Sequence, residues 1–319
     1  MEGSKKYLAD DSIDLIITDP PYGIDGDKLH VHYNRNEEYV IDGYREVSKE
    51  DYPEFSKNWI RETERVLRPG GSIYIISGYT NLIHILNALN ETSLIEKNHI
   101  IWKYNFGVYT EKKFVSSHYH ILYYVKPGGK VTFNTNSRYG YYDKLENGNS
   151  KLYKDLEDYW EDSDLSDIWK IPKKYKPGAV KNKNELPEEL LIKMIQYSSN
   201  EDDKVCDFFA GSFSTVKASI GLKRIGIGFE VNKNAFDVQM KVIGGLKEGF
   251  YYERLKEPEI KSPVNKGKKW EKEDIDKLLK LYNKLMKTHN NKSKTIKELS
   301  ILFERGEFSI SNIIKKYNS

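Results

Sequence analysis

The sequence predicts a mainly parallel α/β sheet with helices on both faces, followed by a small all-helical unit. Three observations predict it. Short β-branched and aromatic runs alternate with stretches of helical periodicity. The first such run ends on a carboxylate and two prolines, and a late one enters a Gly/Ser turn just before a helix. The 319 residues suffice for one sizeable α/β domain and an appendage, and 38% hydrophobic content supports a packed core.

"DLIITDPPYGI" (14–24) opens the sheet with a strand over 14–18. A helix follows over 53–67, where Phe55, Trp59, Ile60, Val66 and Leu67 recur at helical spacing. "RPGG" (68–71) predicts a turn, "SIYIIS" (72–77) a second strand, and 80–89 a helix. "HIIWKYN" (99–105) and "YHILYYVK" (119–126) predict two more strands. Periodicity stops over 127–183, a stretch dense in Tyr, Asn, Gly and Lys. So long an irregular stretch inside a compact domain is functional or disordered. Regularity resumes at Pro187, suited to the first turn of a helix with Leu190, Leu191, Met194 and Ile195 on one face. A strand (204–209), a small-residue turn, a helix (214–222), a strand (224–231) and a helix from near Asn234 complete the alternation.

Composition narrows the class. A single cysteine, Cys206, excludes a disulfide framework and a Cys-rich zinc site and fits a reducing compartment. No apolar run reaches membrane-spanning length and no signal peptide opens the chain, so a cytoplasmic protein is expected. The net charge of +3 hides an asymmetry: residues 261–319 hold 15 Lys/Arg against 7 Asp/Glu, a net +8, leaving −5 on the rest. A basic tail suits a polyanion, and equally a solvated Lys-rich surface.

Two stretches carry chemistry. In "VCDFFAGSFSTVKASIGLKRIGIGFEVN" (205–232) a strand delivers the chain to Ala210-Gly211-Ser212, a helix follows, and Glu230 ends the next strand. Such a turn lets a ligand approach the backbone, and an acid at that interval suits two ribose hydroxyls. Alone, this pattern also fits an ordinary βαβ unit with a capping serine. In the opening stretch Asp19 sits at the carboxyl end of a strand, where α/β sheets bind ligands. Pro20 and Pro21 make a stiff corner presenting the Asp19 carboxylate and the Pro20 carbonyl as fixed acceptors, and Tyr22 offers a flat stacking surface. Two acceptors beside a ring suit an amino group on a planar heterocycle.

"DPPY" together with the Asp207–Ser212 turn ("DFFAGS") resembles the amino-methyltransferases of DNA, which use S-adenosylmethionine. The DPPY segment precedes the cofactor turn, as in the permuted beta group of that family. The resemblance spans roughly 10–245 and includes "RVLRPGGSIYIIS" (65–77), "SHYHILYYVK" (117–126) and "DIWKIP" (167–172). It implies a Rossmann-like sheet in circularly permuted order over 1–256, with target recognition in 127–183; beyond it, the Pro/Gly/Lys-rich composition of 257–269 reads as a linker and the periodicity of 270–319 as a separate helical domain. The resemblance implies Asp19, Pro20, Pro21 and Tyr22 as the catalytic corner. Asp207, Phe209, Ala210, Gly211, Ser212 and Glu230 become the cofactor site, and no metal is expected.

The implied reaction is methyl transfer to adenine N6 in duplex DNA through base flipping, because an aspartate at position 19 goes with adenine in the family. Cytosine-N4 methylation and a catalytically silent DNA-binding relative are the alternatives. Two departures are visible: Phe213 stands where the family carries a second glycine, and 181–190 lacks the usual His-Pro-Thr-Gln-Lys-Pro type of sequence. Phe213 is expected either to narrow the methionine end of the pocket or to point outward. In the recognition segment Asn134, Asn136 and Arg138 are candidates for base edges, and the basic run 170–183 for phosphates. The spacing of His30/His32 and His118/His120 fits solvated histidines better than metal ligands. Beyond duplex DNA, a homodimer and a cognate restriction endonuclease are left open; no membrane partner is expected, and the location follows the nucleoid.

The tail shows three helical faces: Ile275, Leu278, Leu279, Tyr282 and Leu285; then Ile296, Leu299 and Phe303; then, past Gly306, Ile310, Ile313, Ile314 and Tyr317. A tight turn between the second and third resembles a helix-turn-helix of homeodomain or Myb-like type. A plain three-helix docking module is the alternative.

Overall fold

The computed structural model describes residues 2–21, 47–104, 109, 111–170, 185–258, 263–265 and 267–317. They divide into two units, Met1–Arg138 with Lys151–Glu257, and Tyr139–Ser150 with Pro258–Ser319.

In the larger unit β1 (Ile13–Thr18), β2 (Leu67–Ser77), β3 (Ile95–Lys103), β4 (His118–Val125), β5 (Tyr159–Glu161), β6 (Lys204–Asp207) and β7 (Ile225–Gly228) share one sheet. Its order is β5-β3-β4-β2-β1-β6-β7. β4 runs antiparallel to both neighbours and the other pairs are parallel. β1 is central, and Ile13, Leu15, Ile16 and Ile17 are all fully buried. A strand covered on both faces needs such apolar side chains, each contributing roughly 1.5–3 kcal/mol, and Asp14 near its start is paired with Arg68.

From β1 the chain passes through helix α2 (Tyr52–Val66) to β2 on one side; from β6 it passes through α7 (Ser214–Gly221) to β7 on the other. The connections diverge between β1 and β6, opening a crevice at the carboxyl ends of those two strands. α2 starts with Pro53 in its first turn and buries Tyr52, Ser56, Trp59, Ile60, Thr63 and Val66, three or four residues apart. It stops where Leu67 turns extended, because Pro69 excludes helix from Arg68.

The turn expected at 68–71 is instead part of β2. Ile13 pairs with Leu67 while Leu15 pairs with Ser72, so the RPGG residues bulge from the ladder. Gly70 takes φ +79° there, and a side chain on it would strike the Lys130 backbone. The helices α3 (Leu82–Asn90), α6 (Glu188–Ser198) and α8 (Lys233–Ile243) lie close to their predicted spans, whereas α1 (Glu2–Tyr7) is not legible in the sequence.

The irregular stretch holds short pieces: α4 (Lys151–Asp155), β5 and α5 (Asp162–Leu165). A buried charge cluster fastens it. Asp155 accepts from Arg138 Nε at 2.7 Å and from the Tyr197 hydroxyl at 2.5 Å, and pairs with Lys193 Nζ at 3.1 Å. Lys193 also sits over the Trp160 ring at 4.3 Å. Burial pushes the Asp155 carboxyl up, but the Arg138 and Lys193 charges outweigh it and hold the group below its ordinary value. Burial lowers Lys193 to about 8. This placement corrects two expectations about base reading. Arg138 is buried in the cluster, and Asn134 donates its amide to the Gln196 and Ser199 carbonyls. Of the three candidates only Asn136 lies exposed.

The smaller unit contains α9 (Lys272–His289), α10 (Lys292–Leu302) and α11 (Glu307–Tyr317). Leu278, Tyr282, Leu299, Ile310 and Ile314 form its core, as the apolar spacing predicts; Tyr317 is exposed instead. The α10–α11 turn takes a left-handed Glu304 and is clamped by buried Arg305, which donates to the Lys268 and Lys269 carbonyls and covers the Trp270 ring.

Candidate active site

Both chemical stretches end at the crevice. β1 delivers Asp19 immediately after Thr18, and β6 delivers the turn after Asp207; the two strands pair in register, Leu15 with Val205 and Ile16 with Cys206. A hydrogen bond joins their ends: the Thr18 hydroxyl donates to Asp207 Oδ1 at 3.0 Å, fully buried. Asp19 is half-buried and Pro20 buried. The Pro21 carbonyl accepts from the Tyr52 hydroxyl of α2 at 2.8 Å, so the corner is held from outside as well as by its rings. Tyr22 and the polar loop 26–39 lie outside the described residues, as do His30, His32 and 171–184 of the basic run.

On the β6 side the Asp207 carboxylate faces inward. Oδ1 also accepts from the Phe209 N–H at 3.0 Å, and Oδ2 from the Thr215 hydroxyl at 2.8 Å. Burial raises Asp207 to about 6 against these three hydrogen bonds, and the nearby Glu230 charge adds to the rise. Its oxygens are therefore engaged in bracing the turn between β6 and α7. Phe209 is half-buried and packs on α2 through Phe55 and Trp59, with ring centroids 5.7 and 5.6 Å apart. Ala210 donates its N–H to Phe229 at 2.9 Å, stitching the turn to the segment after β7.

Gly211 is exposed, takes φ +47°, and a side chain there would meet nothing nearer than 4.0 Å, so its backbone faces open space. Ser212 shares a 2.8 Å hydrogen bond with Ser214 at the start of α7. Glu230 lies two residues past β7, half-buried, with one oxygen accepting from the Asn232 N–H at 2.6 Å. Asn232 in turn caps α8. An open glycine backbone with a carboxylate at the adjacent strand end is an arrangement that suits a nucleoside.

Phe213 follows neither expectation. It adopts φ +61°, the left-handed conformation a glycine takes without strain, and its side chain is 1% exposed. The ring packs inward with Ala210, Val216, Ile220, Met240 and Ile243, and edge-on to Phe236 at 5.8 Å. It lines no open surface. The hydrophobic contact offsets a left-handed strain of about 1–2 kcal/mol.

The functional hydroxyls of Thr18, Thr215 and Tyr52 escape sequence reasoning. The only available signal was Thr18 standing directly before Asp19. Among the described residues no group of three His, Cys, Asp or Glu side chains converges as a metal site. His118, His120 and His99 lie side by side, with His99 Nε2 2.8 Å from His120 Nδ1, and burial lowers His120 to about 4.

The DNA methylase family model matches residues 13–241, most of the chain. This chain belongs to the DNA methylase family. It is a DNA methyltransferase. The Type II methyltransferase M.HpaI of Haemophilus parainfluenzae is 32% identical over 249 residues, 77% of this chain and 72% of that protein. The DNA adenine methyltransferase YhdJ of Escherichia coli K12 is 31% identical over 236 residues, 71% of this chain and 74% of its own length. The putative DNA modification methylase TTHA0409 of Thermus thermophilus, solved with S-adenosyl-L-methionine, shares the fold at a TM-score of 0.51. Its identity is 22%, over 76% of this chain and 89% of that one. Among the described residues no helix is long and apolar enough to cross a membrane.

Proposed function

We propose that this methyltransferase transfers the methyl group of S-adenosyl-L-methionine to the exocyclic N6 amine of adenine, flipped out of duplex DNA. The observation that carries the reading is the Thr18–Asp207 hydrogen bond, which fixes the Asp19 corner beside the turn at Gly211. The open Gly211 backbone and Glu230 hold the cofactor's nucleoside, with Phe209 alongside. When bound, that cofactor supplies an electrophilic sulfonium methyl.

The chain's own task is the amine. An aromatic NH₂ is a weak nucleophile because its lone pair is delocalised into the ring. Asp19 and the Pro20 carbonyl accept hydrogen bonds from its two N–H groups and draw the nitrogen toward tetrahedral geometry; one proton leaves the nitrogen after the methyl group has been transferred. The Pro21 carbonyl already accepts from the Tyr52 hydroxyl, which supports Asp19 and the Pro20 carbonyl as the acceptor pair. A rigid corner also removes the entropic part of the barrier, and the carboxylate stabilises positive charge developing on nitrogen. A paired adenine cannot reach such a corner without leaving the stack, and Tyr22 supplies the stacking ring.

An aspartate at position 19 and the similarity to a named adenine methyltransferase favour adenine over cytosine. A homodimer, a cognate restriction endonuclease and a location with the nucleoid belong to the same reading. Mass spectrometry of nucleosides from treated duplex DNA tests it. N6-methyladenine should appear with the wild type and vanish with Asp19→Ala; N4-methylcytosine in its place would assign the other base.

A further inference from the structure

The smaller unit contains more than the C-terminal helices. It incorporates residues 139–150, which come from the stretch between β4 and α6 where the resemblance places target recognition. Within this unit Tyr141 seats against the α10–α11 turn so closely that any side chain at Gly306 would collide with its hydroxyl. The helical unit and part of the recognition stretch are thus one folded body.

Its last helix has two distinct faces. Ile310 and Ile314 point into the core, with Ile313 packed beside them. Opposite them, one turn apart, lie Phe308, Ser311, Asn312 and Lys315. Phe308 is 79% exposed, Asn312 and Lys315 are exposed, and Ser311 is half-exposed. A partner covering Phe308 would remove its ring from water. The first turn of α10 lies beside it: Lys292, Ser293 and Ile296 line a shallow groove together with Glu307, Phe308 and Ser311. Residues 261–319, which include this stripe, carry a net +8.

We infer that α11 enters the major groove of duplex DNA, with Phe308, Asn312 and Lys315 toward the bases and the start of α10 against the phosphate backbone. The chemistry of each residue matches its place. Asn312 can both donate and accept, the pairing adenine presents through N7 and N6; Phe308 offers an apolar surface to a thymine methyl; Lys315 reaches guanine or phosphate. Lys292 and Ser293, at the start of the preceding helix, meet the backbone as in helix-turn-helix docking. Four of the tail's seven acidic residues fall at 271–276, at the start of α9, and Glu307 is the acidic residue in the groove itself. This rests on reading the chain as a duplex-DNA methyltransferase and gives it a second reading head besides the catalytic unit.

The test uses the full chain and a labelled duplex carrying the site at which wild-type protein methylates. Fluorescence anisotropy is recorded across a salt series for wild type, Phe308→Ala, Asn312→Ala and Lys315→Ala, all surface changes that spare the core. Asn312→Ala should weaken binding to that duplex by about tenfold and a scrambled duplex far less. Lys315→Ala should weaken both and reduce the slope of log affinity against log salt by about 0.9. Methyl transfer at saturating DNA should keep its wild-type rate in all three, with only KM for DNA raised. Unchanged affinity and salt slope in all three would overturn the inference, as would a loss of self-association by sedimentation with DNA binding intact. A wild type that methylates no DNA at all would instead sink the catalytic reading, independently of α11.

Discussion

Replacing Thr18 by valine removes one hydroxyl and leaves the shape of the side chain. In the folded protein that hydroxyl is buried and donates to Asp207 at 3.0 Å. Asp207 then keeps two donors, the Phe209 N–H and the Thr215 hydroxyl. A hydrogen bond to an ionised group contributes about 1.5–3 kcal/mol, against about 1 kcal/mol for a neutral pair. Asp207 titrates at about 6 in the fold, so the loss depends on pH. At pH 7.5 the variant should lose about 2 kcal/mol, and near pH 4.5, where the carboxyl is protonated, about 1 kcal/mol. Urea unfolding followed by tryptophan fluorescence at both pH values measures this. The same hydroxyl fixes the catalytic corner beside the cofactor turn, and a misplacement of about 1 Å can reduce a rate by about a hundredfold. Turnover should therefore fall at least tenfold at pH 7.5 while the affinity for S-adenosyl-L-methionine changes little. A stability loss equal at both pH values, or an unaltered turnover, refutes the bracing argument.

Asp207→Asn tests the same carboxyl from the other direction. Its folded pKa is raised by burial to about 6 from 3.8, so the stability it contributes is present below pH 4 and lost as pH rises through 6. The variant should lack that fall, worth about 3 kcal/mol, and urea midpoints of both proteins between pH 4 and 7 will show it. Phe213→Ala should destabilise by about 3 kcal/mol, because it empties a packed site and keeps a left-handed residue. Phe213→Gly should recover about 1 kcal/mol of that by relieving strain, and thermal unfolding of the pair checks the ordering. Asp155→Ala strands Arg138 and Lys193 as buried cations and should cost about 3–5 kcal/mol, whereas Lys193→Met, which leaves the Arg138–Asp155 pair, should cost clearly less by chemical denaturation.

The sheet was legible because its signals are local. An interior parallel strand needs an apolar centre, and Leu15, Ile16 and Ile17 supply it; a helix must end before proline, and α2 does. The RPGG bulge was misread because a turn and a bulge use the same residues, and only the partner strand separates them. The site was legible where chemistry sits at a strand end, as with Asp19 and Gly211. What braces it was not: Thr18 finds its acceptor 189 positions away, and Tyr52 reaches the Pro21 carbonyl from a different helix. Arg138 looked like a base-reading residue for the same reason. Nothing local reveals that Asp155, Lys193 and Tyr197 close around it.

Phe213 shows how a departure from a family pattern can leave a site intact. The glycine expected there serves a backbone at positive φ, and the backbone here keeps that conformation, at +61°. The requirement at this position is therefore conformational, and a side chain is admissible if its strain is offset. A phenyl ring buried to 1% exposure among Val216, Met240 and Phe236 supplies more than the 1–2 kcal/mol needed. A ring so buried cannot also occlude an exposed turn, and Gly211, two residues earlier, remains open. The substitution thus moves a packing anchor under α7 and α8 without touching the surface proposed to meet the nucleoside. Its effect should register in unfolding and not in cofactor affinity. A Phe213→Gly protein that bound S-adenosyl-L-methionine tenfold more tightly than wild type in calorimetric titration would break this separation.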